Sequence, residues 1–122
     1  MTANRNRKRI PSDMAETALE RWVVRWINRR AANYDDGAAG AIRDAQHGCS
    51  SGIVSELIYN RDCAKFARKH LSDILALLDD YADSMGEPLA PNRKQGYELD
   101  ETWLAWVGFE LALSAVASRA GY

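Results

Sequence analysis

The sequence predicts an all-α fold, a single-domain bundle of about five helices with a buried, aromatic-rich C-terminal helix. Three observations carry that reading. Apolar residues recur at helical spacing in successive stretches separated by Gly, Pro, Asn and Asp. The stretch from Trp103 to Val116 is apolar almost all round, which in a globular protein marks the central helix. At 122 residues the chain is long enough to bury one core without disulfides or metal and too short to require a second.

Residues 1–11 are polar and basic and read as a disordered arm ending at Pro11; residues 12–122 form the helical domain. Asp13 with Glu16 has the form of a capping box. Leu19, Trp22, Val23, Trp26 and Ile27 then keep a helical period, so a first helix is expected from Asp13 to Ala32. Arg21, Arg25 and Arg29 lie one turn apart on its other side. Asn33 to Gly37 breaks the pattern, and a second helix is expected from Ala38 to His47, stopped by Gly48. Ser50 or Ser51 caps a third, with Ile53, Val54, Leu57 and Ile58 reaching Tyr59. A long fourth helix runs from Cys63 to Met85, with a bend expected near Ser72. The stretch from Gly86 to Leu99 has two prolines and two glycines and reads as a loop; Asp100 then caps the last helix, which Gly121 closes. Trp22, Trp26, Trp103 and Trp106 are the largest side chains available to fill the core.

Net charge is −1, but its distribution is uneven. Residues 1–30 hold eight basic and three acidic side chains, whereas residues 71–110 hold nine acidic and two basic ones. Such segregation steers association with charged partners, unless antiparallel helices bring the two signs together. No apolar run approaches the roughly 18 residues of a membrane span, and the N-terminal stretch lacks the apolar centre of a secretory signal. A cytoplasmic location without membrane association is therefore expected. Cys49 and Cys63 are expected to be thiols rather than a bridge.

Reactive side chains and unusual backbone coincide in one place, HGCSSGIVSELIY from His47 to Tyr59. His47, Cys49, Cys63 and His70 are zinc-ligand types, but their spacing is not that of a finger or ribbon, and neither a metal nor a cofactor is expected. Cys63 reads as a small core hydrophobe, and His70 as a residue at the edge of the core. Cys49 next to a helix N-terminus, with His47 two residues away, leaves a Cys-His enzyme as one alternative; helix capping by the serines is the structural one. Glu110 is the lone acid in the apolar part of the last helix and continues with Ser114 and Ser118 as a narrow polar edge. A nucleic-acid-binding regulator using Arg5, Arg7, Lys8 and Arg9 with the arginine stripe is the other alternative, although no recognition motif accompanies these residues and direct nucleic-acid binding is not the expected mode.

The corner HGCSSGIVSELIY, continued by Asp62, Phe66 and His70 and then by TWLAWVGFE, resembles small accessory proteins borne by plasmids and phages. The resemblance covers residues 40 to 118 and leaves out the first helix. It carries no catalytic residues across. It implies an inhibitor of host defence in a bacterial cell, of the anti-CRISPR class, acting by occupying a surface of a CRISPR-Cas complex rather than by turnover. The acidic residues Asp73, Asp79, Asp80, Asp83 and Glu87 are then the expected contact surface. Helices of this kind also pair readily, and a homodimer is compatible with the pattern.

Overall fold

A computed structural model describes residues 9–47, 63–85 and 101–122. Among them are a 3-10 turn, Ser12–Met14, and five α-helices with no strand: α1 Ala18–Ala31, α2 Ala38–His47, α3 Cys63–Lys69, α4 Leu71–Met85 and α5 Glu101–Arg119. The expected helix at 50–59, the stop at Gly48, the loop at 86–99 and the cap at Asp100 lie outside the described residues.

Helix α5 is the axis of the bundle, and each of the other four packs against it. Leu104, Ala105, Phe109, Ala112, Leu113, Val116 and Ala117 are buried along its length, so its apolar circumference is used on most sides. Its C-terminus is closed by Gly121 at φ 86°, with Tyr122 N–H donating to Ala117 O at 2.9 Å and Gly121 N–H to Ser118 O at 3.1 Å. Those two bonds are the Schellman pattern, which requires a left-handed residue at this position. Midway along, Gly108 lets α4 approach: a Cβ there would stand 2.6 Å from the Cγ1 of buried Ile74.

Aromatic rings join α1 and α3 to that axis. Trp26 meets Phe109 edge-on at 5.0 Å and Trp22 meets Phe66 edge-on at 4.7 Å, the arrangement that sets the positive edge of one ring on the negative face of another. Trp22, Trp26 and Trp103 thus contribute to the core or its margin. Trp106 does not: it is 37 % exposed, although Leu113 and Ala117, about two and three turns further along the same side of α5, are buried.

The structure departs from the sequence pattern in four ways. Helix α1 starts at Ala18, not Asp13, because Thr17 rather than Asp13 is its cap: the Thr17 hydroxyl accepts the Glu20 N–H at 3.1 Å. The chain before it makes the 3-10 turn, with Met14 N–H on Pro11 O and Ala15 N–H on Ser12 O. Ile10, placed by the sequence in the arm, is a core residue. Its N–H donates to Asn28 Oδ1 at 2.8 Å and its carbonyl accepts from Asn28 Nδ2 at 2.9 Å, so one side-chain amide satisfies both backbone groups of the buried residue. The expected long fourth helix is divided at His70 into α3 and α4, two residues before Ser72.

The fourth departure is an ion pair whose acidic member is buried. Glu20 is 2 % exposed, and Arg119 grips its carboxylate with both guanidinium nitrogens, at 2.7 and 3.0 Å. Arg119 also donates to Met14 O at 2.7 Å and lies 3.5 Å from Glu16, while Glu16 N–H donates to Glu20 Oε1 at 2.8 Å. Burial alone would raise the Glu20 carboxyl, but the Arg119 hydrogen bonds, the backbone N–H groups and the guanidinium charge outweigh it and hold the group below 4.5. The result is a clasp between the start of α1 and the end of α5.

Variants at Gly108 and at the Glu20–Arg119 pair test these contacts. Gly108→Ala lowers stability in urea melts by about 1–2 kcal/mol, helix propensity being outweighed by overlap with Ile74. The double variant Gly108→Ala/Ile74→Ala is less destabilised than the sum of its singles; strict additivity would mean that the close approach is not what Gly108 serves. Arg119→Met lowers stability by about 2–4 kcal/mol by leaving the Glu20 charge buried alone, and Glu20→Gln added to it recovers part of that loss. In wild type the stability that Glu20 contributes is fully present above 4.5 and is lost as pH falls through its depressed folded value, a loss that the Glu20→Gln variant lacks in the same pH series.

Candidate functional site

Polar chemistry stands out against this apolar scaffold in three places: the outer face of α4, the joint between α3 and α4, and a shallow pocket beside α5. On α4 the buried residues are Ile74 and Leu78, so the opposite face is turned to solvent. It carries Asp79, Asp80 and Asp83, all exposed, whereas Tyr81, 46 % exposed, follows Ile74 and Leu78 at i+7 and i+3 and so belongs to their stripe. All four fall in the C-terminal half of the helix, whose last turn has no basic residue. Asp80 and Asp83 are in no ion pair among the described residues.

Asp73 is set apart from that group. Only half-buried, it turns its Oδ2 to the Leu19 N–H at 3.2 Å and so caps the first turn of α1 from another helix. Glu87 lies outside the described residues, as do Cys49 and the side chain of His47; the corner at 47–52 therefore enters only through the backbone of His47, the last residue of α2. The arginine stripe is where the spacing puts it, with Arg21, Arg25 and Arg29 exposed on α1.

At the joint, His70 is 3 % exposed and neither ring nitrogen has a hydrogen-bond partner. Its ring lies against Phe66, 5.0 Å between centroids, and Cys63 is buried two turns earlier on α3. The sequence puts His70 at the edge of the core, but it is inside. Its backbone still bridges the two helices, with His70 N–H on Phe66 O at 3.0 Å and Ile74 N–H on His70 O at 2.9 Å. Burial, then the charge of Lys69, lowers the imidazole below 6.5; Asp73 pulls the other way, and Arg25 adds to the lowering.

The third feature is a pocket of about 100 Å³ where the end of α2 meets α5, lined by Ala45, Gln46, Glu110, Leu113 and Ser114. Glu110 is half-buried, and burial raises its carboxyl above 4.5. The polar edge expected along α5 is present, with Ser114 and Ser118 exposed beyond it. The pocket has room for a small polar group or the tip of one side chain, and its Glu110 can accept or donate a hydrogen bond according to protonation.

Residues 5–120 match the model of a family described as a domain of unknown function, DUF7222, so the chain belongs to that family. No curated protein and no solved structure matches it.

Glu110 offers a direct measurement. A carboxyl raised by burial holds its proton more tightly folded than unfolded, so its contribution falls as pH rises from 4.5 through the folded value. Glu110→Gln is expected to match wild type in acid and to exceed it in stability at neutral pH. Equal melts at neutral pH would show that the carboxylate is fully solvated in the pocket.

Proposed function

We propose that this member of the DUF7222 family is a non-enzymatic binding protein that acts by occupying a basic surface of a partner protein. Its contact surface is the outer face of α4 carrying Asp79, Asp80 and Asp83. The observation that carries this reading is their placement: three exposed carboxylates in the C-terminal half of a helix, where the helix dipole is already negative and the last turn supplies no cation. A basic partner surface relieves that unfavourable arrangement. Like-charged side chains held on one helix face also raise encounter rates with an opposite surface. The partner class proposed is a bacterial defence complex of the CRISPR-Cas kind, which rests on the resemblance of the HGCSSG corner and the TWLAWVGFE helix to accessory proteins of mobile elements.

Purified interference complexes, assayed with the tagged protein, test both parts. Wild type is expected to be retained, with retention weakened by added salt, and the triple reversal Asp79→Lys, Asp80→Lys, Asp83→Lys is expected to lower affinity by about tenfold or more with the fold intact by circular dichroism. Retention unchanged by the triple reversal overturns the surface. Failure of wild type to bind any such complex overturns the partner class.

A further inference from the structure

His70 is buried at a helix joint with two unpartnered nitrogens, and the one acidic side chain that acts on it already has another task. Asp73 lies one helical turn beyond His70, within the reach that i and i+3 side chains share, and it is the residue whose Oδ2 holds the Leu19 N–H. The charges that act on the ring come from three sources: Lys69 at the end of α3, Arg25 on α1, both repelling a proton, and Asp73 on α4, attracting one. Glu20, on α1 next to Leu19, is committed to Arg119. A protonated His70 would therefore be a cation sealed in the core, with two N–H donors, two repelling neighbours and a single attractive acceptor.

We propose that His70 and Asp73 form a proton-operated latch between α1 and α4. With the ring neutral, Asp73 caps Leu19 and ties the start of α1 to α4. When the ring takes up a proton, the Asp73 carboxylate turns to the imidazolium, the Leu19 N–H loses its acceptor, and the first turn of α1 is released. The interruption of the helix at His70 is what gives the ring and the carboxylate freedom to rearrange without unwinding either helix. The latch is closed above 6.5, the ordinary histidine value, and opens as pH falls below it toward the depressed value of the buried ring.

Amide hydrogen exchange of the whole chain, corrected for the intrinsic pH dependence of each amide, reads this directly. The Leu19 amide is expected to lose protection by about tenfold per pH unit at most as the latch opens, the limit for uptake of one proton, while buried amides in the middle of α5 stay protected. His70→Phe, which keeps an apolar ring against Phe66, should make Leu19 protection independent of pH. Asp73→Asn, whose side-chain oxygen can still accept from Leu19 but cannot pair with an imidazolium as a charge, should also flatten the profile. Leu19 protection that falls in step with the α5 amides would show global unfolding and overturn the latch. So would a pH profile retained in His70→Phe, or, if that variant does not fold, one retained in Asp73→Asn.

Discussion

A helix with apolar residues on most of its circumference cannot stand in water, and the rest of this fold is the cover for one such helix. Helix α5 buries Leu104, Ala105, Phe109, Ala112, Leu113, Val116 and Ala117, residues that between them face in several directions. Covering them takes α1, α2, α3 and α4 together. The strength of that demand follows from area: each large apolar side chain removed from water contributes about 1.5–3 kcal/mol. The close contact at Gly108 and the edge-on rings around Phe109 are the local solutions by which the covering helices reach the axis.

Polar groups inside the bundle divide according to whether that cover satisfies them. Glu20 is compensated several times over, by Arg119 and by backbone N–H donors, so its charge stiffens the end of the bundle. Ile10 has no polar side chain but two backbone groups to satisfy, and Asn28 supplies both partners. His70 is the opposite case, since its ring is as deeply buried as Glu20 and its nitrogens are left unmet. Glu110 lies between these limits, half out of water and with Gln46 and Ser114 as its polar company. A buried group without partners stores a free-energy cost that a change of protonation or ligation can draw on, whereas a fully bonded one resists such change.

The all-α class, the span of α2 and the central place of the last helix were legible in the sequence because each rests on periodicity and local stop signals. What was not legible depended on residues far apart. Asp13 with Glu16 and, directly after them, Thr17 with Glu20 both have the form of a capping box, and local pattern alone does not choose between them. Thr17 prevails because Glu20, the third residue of its helix, is fixed by Arg119, 99 positions away. The same remoteness hid the burial of Ile10, whose partner is 18 residues on, and the inward turn of Asp73 toward Leu19. The break at His70 rather than Ser72 had a weak signal, a histidine on the apolar stripe of the helix. Trp106 was misplaced for a simpler reason: in a helix apolar on nearly every side, periodicity does not say which residue is left over.

The clasp of Arg119 on Glu20 also bears on how the chain reaches its fold. Its two members are separated by 99 residues, so the contact encloses nearly the whole helical domain in one loop. On the ribosome, α1 is complete long before the guanidinium that neutralises its buried carboxylate has been made. Until then Glu20 must remain hydrated, which keeps the first turn of α1 from settling against the growing bundle. The docking of residues 10–20 therefore depends on a side chain from the far end of the chain, the guanidinium that meets Glu20, Glu16 and Met14 O together.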